Sequence, residues 1–178
     1  MRVLALIGTL AILVVIGAAV FFFGGFFDIG ASESDEDQGI VNWALIRVRM
    51  ASVERHGRES SPVNLDDPEI VHAGARAFSD RGCANCHGEP GPKPGEMEGW
   101  QKFSEGMNPD PPDLAKEIVP HREPGQLFWV VKNGIRMTGM PSFGKIGADD
   151  KEIWSIVAFL RSLPKVSQAD YKAWTAKP

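Results

Sequence analysis

The chain opens with an uninterrupted apolar stretch and becomes amphipathic only afterwards. From Val3 to Phe27 there is no charged residue, and a run of that length exceeds the roughly 20 apolar residues that a helix needs to span a bilayer. Helical spacing appears from Ile40 to about His56, where Trp43, Ile46 or Arg47, Met50 and Val53 fall near one face, with Arg49, Glu54 and Arg55 on others. Arg58 to Asp66 is a Ser-rich loop interrupted by Pro62. A second amphipathic segment runs from Asp67 to about Asp80, with Ile70, Gly74, Ala77 and Phe78 at i, i+4, i+7 and i+8 forming one stripe to bury. Its ends are marked by Asp67 as cap, Pro68 in the first turn, Glu69 at the positive end of the helix dipole, and Gly82 as stop. Gly74 in mid-helix gives up about 1 kcal/mol of propensity relative to alanine, which predicts a close crossing by another backbone there.

Between Glu89 and Asp113 the pattern dissolves into prolines and glycines, so this stretch is a wrapping loop, with Trp100, Phe103 and Met107 as its apolar contacts. Periodicity returns over Glu123 to Asn133, where Leu127, Phe128, Val130 and Val131 supply a buried side and Gly134 the stop. A last long helix starts near Asp149 or Asp150, carries the stripe Ile153, Ile156, Val157 and Leu160 with Trp154 and Phe159 beside it, and ends at Leu163-Pro164. Val166 to Pro178 reads as a tail with room for one short helix around Ala169 to Trp174. The fold class expected is mainly α.

Charge sharpens this division. Arg2 precedes the apolar run, while Asp28, Glu33, Asp35, Glu36 and Asp37 follow it, so the N-terminal side stays in the cytoplasm. The expected location is therefore the inner (cytoplasmic) membrane, single-pass, with the rest of the chain on the periplasmic or outer side. A small-x-small cleavage site could be drawn at Gly17 and Ala19, but cleavage there would leave the Phe21 to Phe27 cluster as an exposed N-terminus, so a retained anchor is preferred. Residues 1–28 are then an uncleaved transmembrane anchor, 29–39 an acidic tether, 40–66 an accessory helix and loop, 67–165 the main domain and 166–178 a C-terminal tail. A net charge of −4, without a basic patch interleaved with aromatics, argues against nucleic acid as a partner. Residues 89–123 hold eight acids against four bases and residues 124–178 eight bases against four acids, an asymmetry that is a solvated surface or orients the domain on a charged partner.

The chemistry is concentrated in Cys83-Ala84-Asn85-Cys86-His87. Two thiols three positions apart on one helical turn suit thioether bonds to the two vinyl groups of one haem, and the adjacent His87 suits the iron. A redox dithiol would ask for a strand-helix-strand pattern nearby, and a zinc site for a second pair of ligands. The chain has only two cysteines, and His56, His72 and His121 are scattered without ligand spacing. One covalent haem c through Cys83 and Cys86 is the reading that remains. His56 and Trp43 are expected as packing or surface residues. For the sixth position on the iron, the Gly-bounded loop from Gly134 to Gly144 offers Met137 and Met140. Pro141 restricts Met140 to extended backbone, and Gly139 allows a close approach to the haem plane, which favours Met140 and leaves Met137 as pocket packing.

With Gly74 and Phe78 before the C-x-x-C-H motif, Pro112-x-Leu114, Gly139-Met140-Pro141-x-Phe143 and a closing helix with Phe159-Leu160, the region from about Asp67 to Pro164 resembles a class I cytochrome c. The Phe128-Trp129 and Asn133-Gly134-Ile135 run and the helix before the haem domain make it most similar to membrane-anchored monohaem cytochromes of bacteria. The resemblance implies a cytochrome c fold, with helices around one covalently bound haem, following the transmembrane helix. It implies a crossing of the first and last helices at Gly74, Phe78 and Phe159. It also implies that Pro112 offers its carbonyl to the ring of His87, and that Met140 of the Met-Pro pair ligates the iron. One extra residue between Phe78 and Cys83 departs from the pattern and is expected to loosen the turn before the motif. The expected function is one-electron transfer between redox partner proteins in or at the membrane, by a carrier that is not itself an enzyme and takes no small-molecule substrate. The alternative is a fixed haem subunit of a membrane dehydrogenase or terminal oxidase. A catalytic or gas-sensing haem needs an open iron position, against which the methionine loop argues.

Overall fold

The N-terminal apolar stretch forms one helix, α1 (Arg2–Phe23), of 22 residues. At 1.5 Å per residue it is about 33 Å long, enough for a hydrocarbon core of about 30 Å. Its mean hydropathy is 2.8 and no part of it is buried, so by length and composition it fits a membrane span. The computed structural model describes residues 2–26, 39–93, 95–98, 104 and 106–177, in two units, Met1–Glu33 and Ser34–Pro178. The proposed tether, apart from Gly39, lies outside the described residues, as do Trp100 and Phe103.

The larger unit is helical. In chain order it contains α2 (Gly39–His56), α3 (Pro68–Asp80), the single turn α4 (Ala84–His87), a π-helical turn (Leu114–Ile118) running into a 3-10 turn (Val119–His121), α5 (Pro124–Asn133), α6 (Asp150–Ser162) and α7 (Gln168–Thr175). Within the Pro-rich stretch, β1 (Glu89–Pro90) and β2 (Met97–Glu98) pair antiparallel, Glu89 opposite Glu98 and Pro90 opposite Met97. The helix starts are set by local chemistry. Asp67 accepts the Glu69 N–H at 2.9 Å, and Asp149 the Glu152 N–H at 2.8 Å. Glu123 and Gln126 close a reciprocal capping box at the head of α5, as Ser167 and Asp170 do for α7.

α3 and α6 form the central crossing. A Cβ at Gly74 would run into the Ser155 carbonyl, so glycine is what lets the two backbones meet. One turn on, the rings of Phe78 and Phe159 lie 5.3 Å apart at 58°, and Phe159 stacks on Tyr171 of α7 at 5.7 Å. The crossing expected at Gly74, Phe78 and Phe159 is therefore present. α6 differs from the single stripe read in the sequence, because every residue from Ile153 to Leu160 is buried. The reason is its neighbours: α3 on one side, Tyr171 of α7, and Phe128 of α5, which stacks on Trp154 at 4.3 Å. α7 belongs to this core, with Tyr171 1% exposed and the Trp174 ring 4.3 Å from His72.

α2 is half attached. Val53 near its C-terminus is buried against the body, and His56 stacks on Trp129 of α5 at 5.6 Å. Ile40, Trp43, Leu45, Ile46 and Val48, in the stretch before Arg49, are exposed, with the Arg47 guanidinium 5.9 Å from the Trp43 ring.

Candidate functional site

The C-x-x-C-H motif is delivered by a helix stop. Cys83 N–H donates to Phe78 O at 3.1 Å and Gly82 N–H to Ser79 O at 3.0 Å, the paired bonds of a Schellman motif, with Gly82 at φ 74°. The additional residue before Cys83 thus does not loosen the turn: Arg81 takes the C-cap, and every step to the motif is hydrogen-bonded. Its side chain reinforces the stop, donating from Nε and Nη2 to Glu152 at 2.6 and 2.7 Å and from Nη1 and Nη2 to the carbonyls of Ile146 and Gly147 at 3.3 Å.

Beyond Gly82 the chain makes one more helical turn, with Cys86 N–H and His87 N–H both directed at Cys83 O, at 3.2 and 3.0 Å, before Gly88 ends it at φ 76°. Positions i, i+3 and i+4 of a turn share a face. Cys83, Cys86 and His87 consequently look into one cavity of about 810 Å³, inside the range of about 300–1,000 Å³ typical of cofactor sites. Phe78, Leu127, Val131, Phe143, Ile156 and Leu160 supply its apolar wall. Both thiols are free and half-buried, and burial pushes the Cys83 thiol up to about 12. Such a site favours an uncharged sulfur, as in a thiol or a thioether.

Opposite the motif in sequence, the Pro111-Pro112 segment runs beside the same space. His87 Nδ1 lies 3.1 Å from Pro112 O. A carbonyl only accepts, so Nδ1 carries the hydrogen and Nε2 keeps its lone pair. Burial pushes the His87 imidazole below its ordinary pKa, outweighing the opposing pull of the Pro112 carbonyl, and the ring is held neutral.

The methionine loop is folded back by three sets of contacts. Gly134, at φ 68°, lies so close to the Pro141 backbone that a Cβ would fall 2.6 Å from its carbonyl carbon. Ser142 Oγ donates to Lys132 O at 2.8 Å, and Phe143 N–H to Val131 O at 3.2 Å. Thr138 Oγ1 donates to Ile135 O at 2.8 Å and accepts the Met140 N–H at 3.2 Å. Met140 is half-buried and lines the cavity. Met137 does not: it sits in left-handed backbone at φ 62° and is 73% exposed, which corrects its expected place in the pocket. The reversal of direction at that residue turns its side chain outward. At Gly139 a Cβ would meet the Met107 methyl, so the room glycine leaves there is taken by a side chain from the Pro-rich stretch.

The structure thus brings Cys83, Cys86, His87, Pro112 and Met140 to one cavity, together with Met107. It also adds residues that the sequence did not place at the site. Arg49, Met50 and Val53 reach the wall from α2, and Arg122 from the segment ahead of α5. The donor set fits a covalently bound haem: two thiols and an imidazole on one turn, a thioether on a facing loop, and apolar walls between. Among the described residues there is no cluster of three or more His, Cys, Asp or Glu suited to a bare metal ion.

Residues 69–160, just over half of the chain, match the family model described as cytochrome C oxidase, cbb3-type, subunit III. No curated protein and no solved structure matches the chain.

Proposed function

The chain belongs to the cytochrome c oxidase, cbb3-type, subunit III family, a c-type cytochrome carrying haem c, and from that premise we propose that it passes single electrons between redox proteins in or at the membrane. The observation that carries this reading is the convergence of Cys83, Cys86, His87 and Met140 on one apolar cavity. When bound, haem supplies a one-electron Fe(III)/Fe(II) couple. Cys83 and Cys86 would hold it by thioether bonds. His87 would hold the iron through Nε2, with the Pro112 carbonyl fixing the ring and raising its basicity. Met140 would hold the iron through its sulfur, a soft donor that favours the reduced state and would raise the potential. With His87 and Met140 both holding the iron, no position would be left for a substrate, which would distinguish a carrier from a catalytic or sensing haem.

The apolar α1 supports a role at the membrane, with the haem domain on the periplasmic side of the inner membrane. A second reading, a fixed subunit of a membrane oxidase, is favoured by the family description and by the exposed apolar first half of α2. Acidic acetone extraction tests the cofactor assignment: the haem stays on the polypeptide, and transfer to the solvent would overturn the reading. Cys83→Ser and Cys86→Ser weaken this retention. Affinity isolation from solubilised membranes separates the two readings. A stoichiometric oxidase or dehydrogenase core that survives high salt identifies a fixed subunit, and a haem protein recovered alone identifies a carrier.

A further inference from the structure

Two cationic side chains at the cavity form no ion pair among the described residues. Arg49 reaches it from α2, an element outside the residues 69–160 that match the family, and Arg122 from the segment that leads into α5. Both are half-buried. Arg122 Nη2 instead lies 2.7 Å from the Met50 sulfur, which places Arg122 against the residue next to Arg49. A thioether is a weak acceptor, and a guanidinium cannot shed its proton to escape burial. A charge kept on an apolar wall without a partner is costly, so the corner is built to receive an anion.

The other charged groups on the wall do not compete for that role. Arg81 is already engaged in two hydrogen bonds by Glu152. Asp110 and Glu117 are exposed carboxylates and would repel an anion. We infer that Arg49 and Arg122 form a carboxylate-binding corner that takes the propionate groups of the haem, so that α2 is a clamp on the cofactor as well as an appendage of the domain. This rests on the haem reading above. Guanidinium and carboxylate match in planar, two-pronged geometry, and the ion pair is strengthened by the low dielectric of the cavity. Compensating the propionate charge removes a negative field that would otherwise stabilise Fe(III), so the corner raises the reduction potential.

The test uses the full-length, haem-loaded protein in detergent at low ionic strength. Arg49→Gln and Arg122→Gln are each expected to keep the covalent haem and the six-coordinate spectrum while the midpoint potential falls, with a larger fall in the double variant. Arg49→Lys, which keeps the charge, should recover most of the potential. The resonance Raman band of propionate bending provides a readout that needs no variant to fold: in the unmodified protein it should sit at the position of strongly hydrogen-bonded carboxylates. Unchanged potentials in both glutamine variants, or a propionate band typical of carboxylates in free water, would overturn the inference. Absence of covalent haem from the unmodified protein would instead overturn the haem reading itself, so the two failures are distinguishable.

Discussion

Gly74 of α3 faces the carbonyl of Ser155 in α6 with no space between them for a Cβ. That contact sets how deeply α3 and α6 interlock, and it brings Phe78 onto Phe159 and the end of α3 to the cavity wall. Gly74→Ala sets two effects against each other. Helix propensity gains about 1 kcal/mol. The added methyl must displace backbone and not the flexible end of a side chain, and overpacking of that kind costs about 1–3 kcal/mol or more. The displacement should win, with a net loss of about 1–2 kcal/mol read as a lower denaturant midpoint at unchanged slope. A variant as stable as the parent would show that the crossing relaxes freely.

Met140→Leu should abolish the weak far-red sulfur-to-iron band of the oxidised protein and lower the potential. Met137→Leu should change neither, and its effect on stability should stay within about 0.5 kcal/mol, as for other exposed positions. Met107→Leu, also at the cavity, is a control for altered packing without altered ligation. Loss of the band in Met107→Leu and not in Met140→Leu would move the sixth ligand to the Pro-rich stretch.

Arg81 and Glu152 join the end of α3 to the first turn of α6 through two parallel hydrogen bonds, with side chains 26% and 29% exposed. Partial exposure screens the pair, so a double-mutant cycle of Arg81→Gln and Glu152→Gln should give a coupling of about 1 kcal/mol that shrinks in high salt. Because Arg81 is the cap two residues before Cys83, the same variants should broaden the haem absorption bands. A zero coupling energy would reduce the pair to a surface contact.

The anchor assignment predicts that the protein stays in the membrane fraction after an alkaline carbonate wash and that its mature mass includes the Val3 to Phe27 run. A mature N-terminus beyond Phe27 would make it a soluble periplasmic protein.

The sequence by itself determined whatever depends on residues within about one turn of each other. Cys83, Cys86 and His87 share a face because helical geometry places i, i+3 and i+4 together, and the caps at Asp67 and Asp149 act on N–H groups two or three residues away. The length of the N-terminal apolar run is likewise a property of consecutive residues. Only the tertiary structure decided what depends on partners far apart in the chain. The spacing on α2 put Met50 and Val53 on one face but could not say what that face, or Arg49 beside it, would meet; contact with α5 turns it to the cavity. Nothing local marks Arg122, whose neighbour Met50 is 72 residues away. The stripe on α6 understated its burial because periodicity reports one partner face, while α3, α5 and α7 cover several. Met137 and Met140, three positions apart in one loop, were separated by a backbone reversal, in a loop that the contacts of Gly134, Ser142 and Phe143 fold back onto the end of α5.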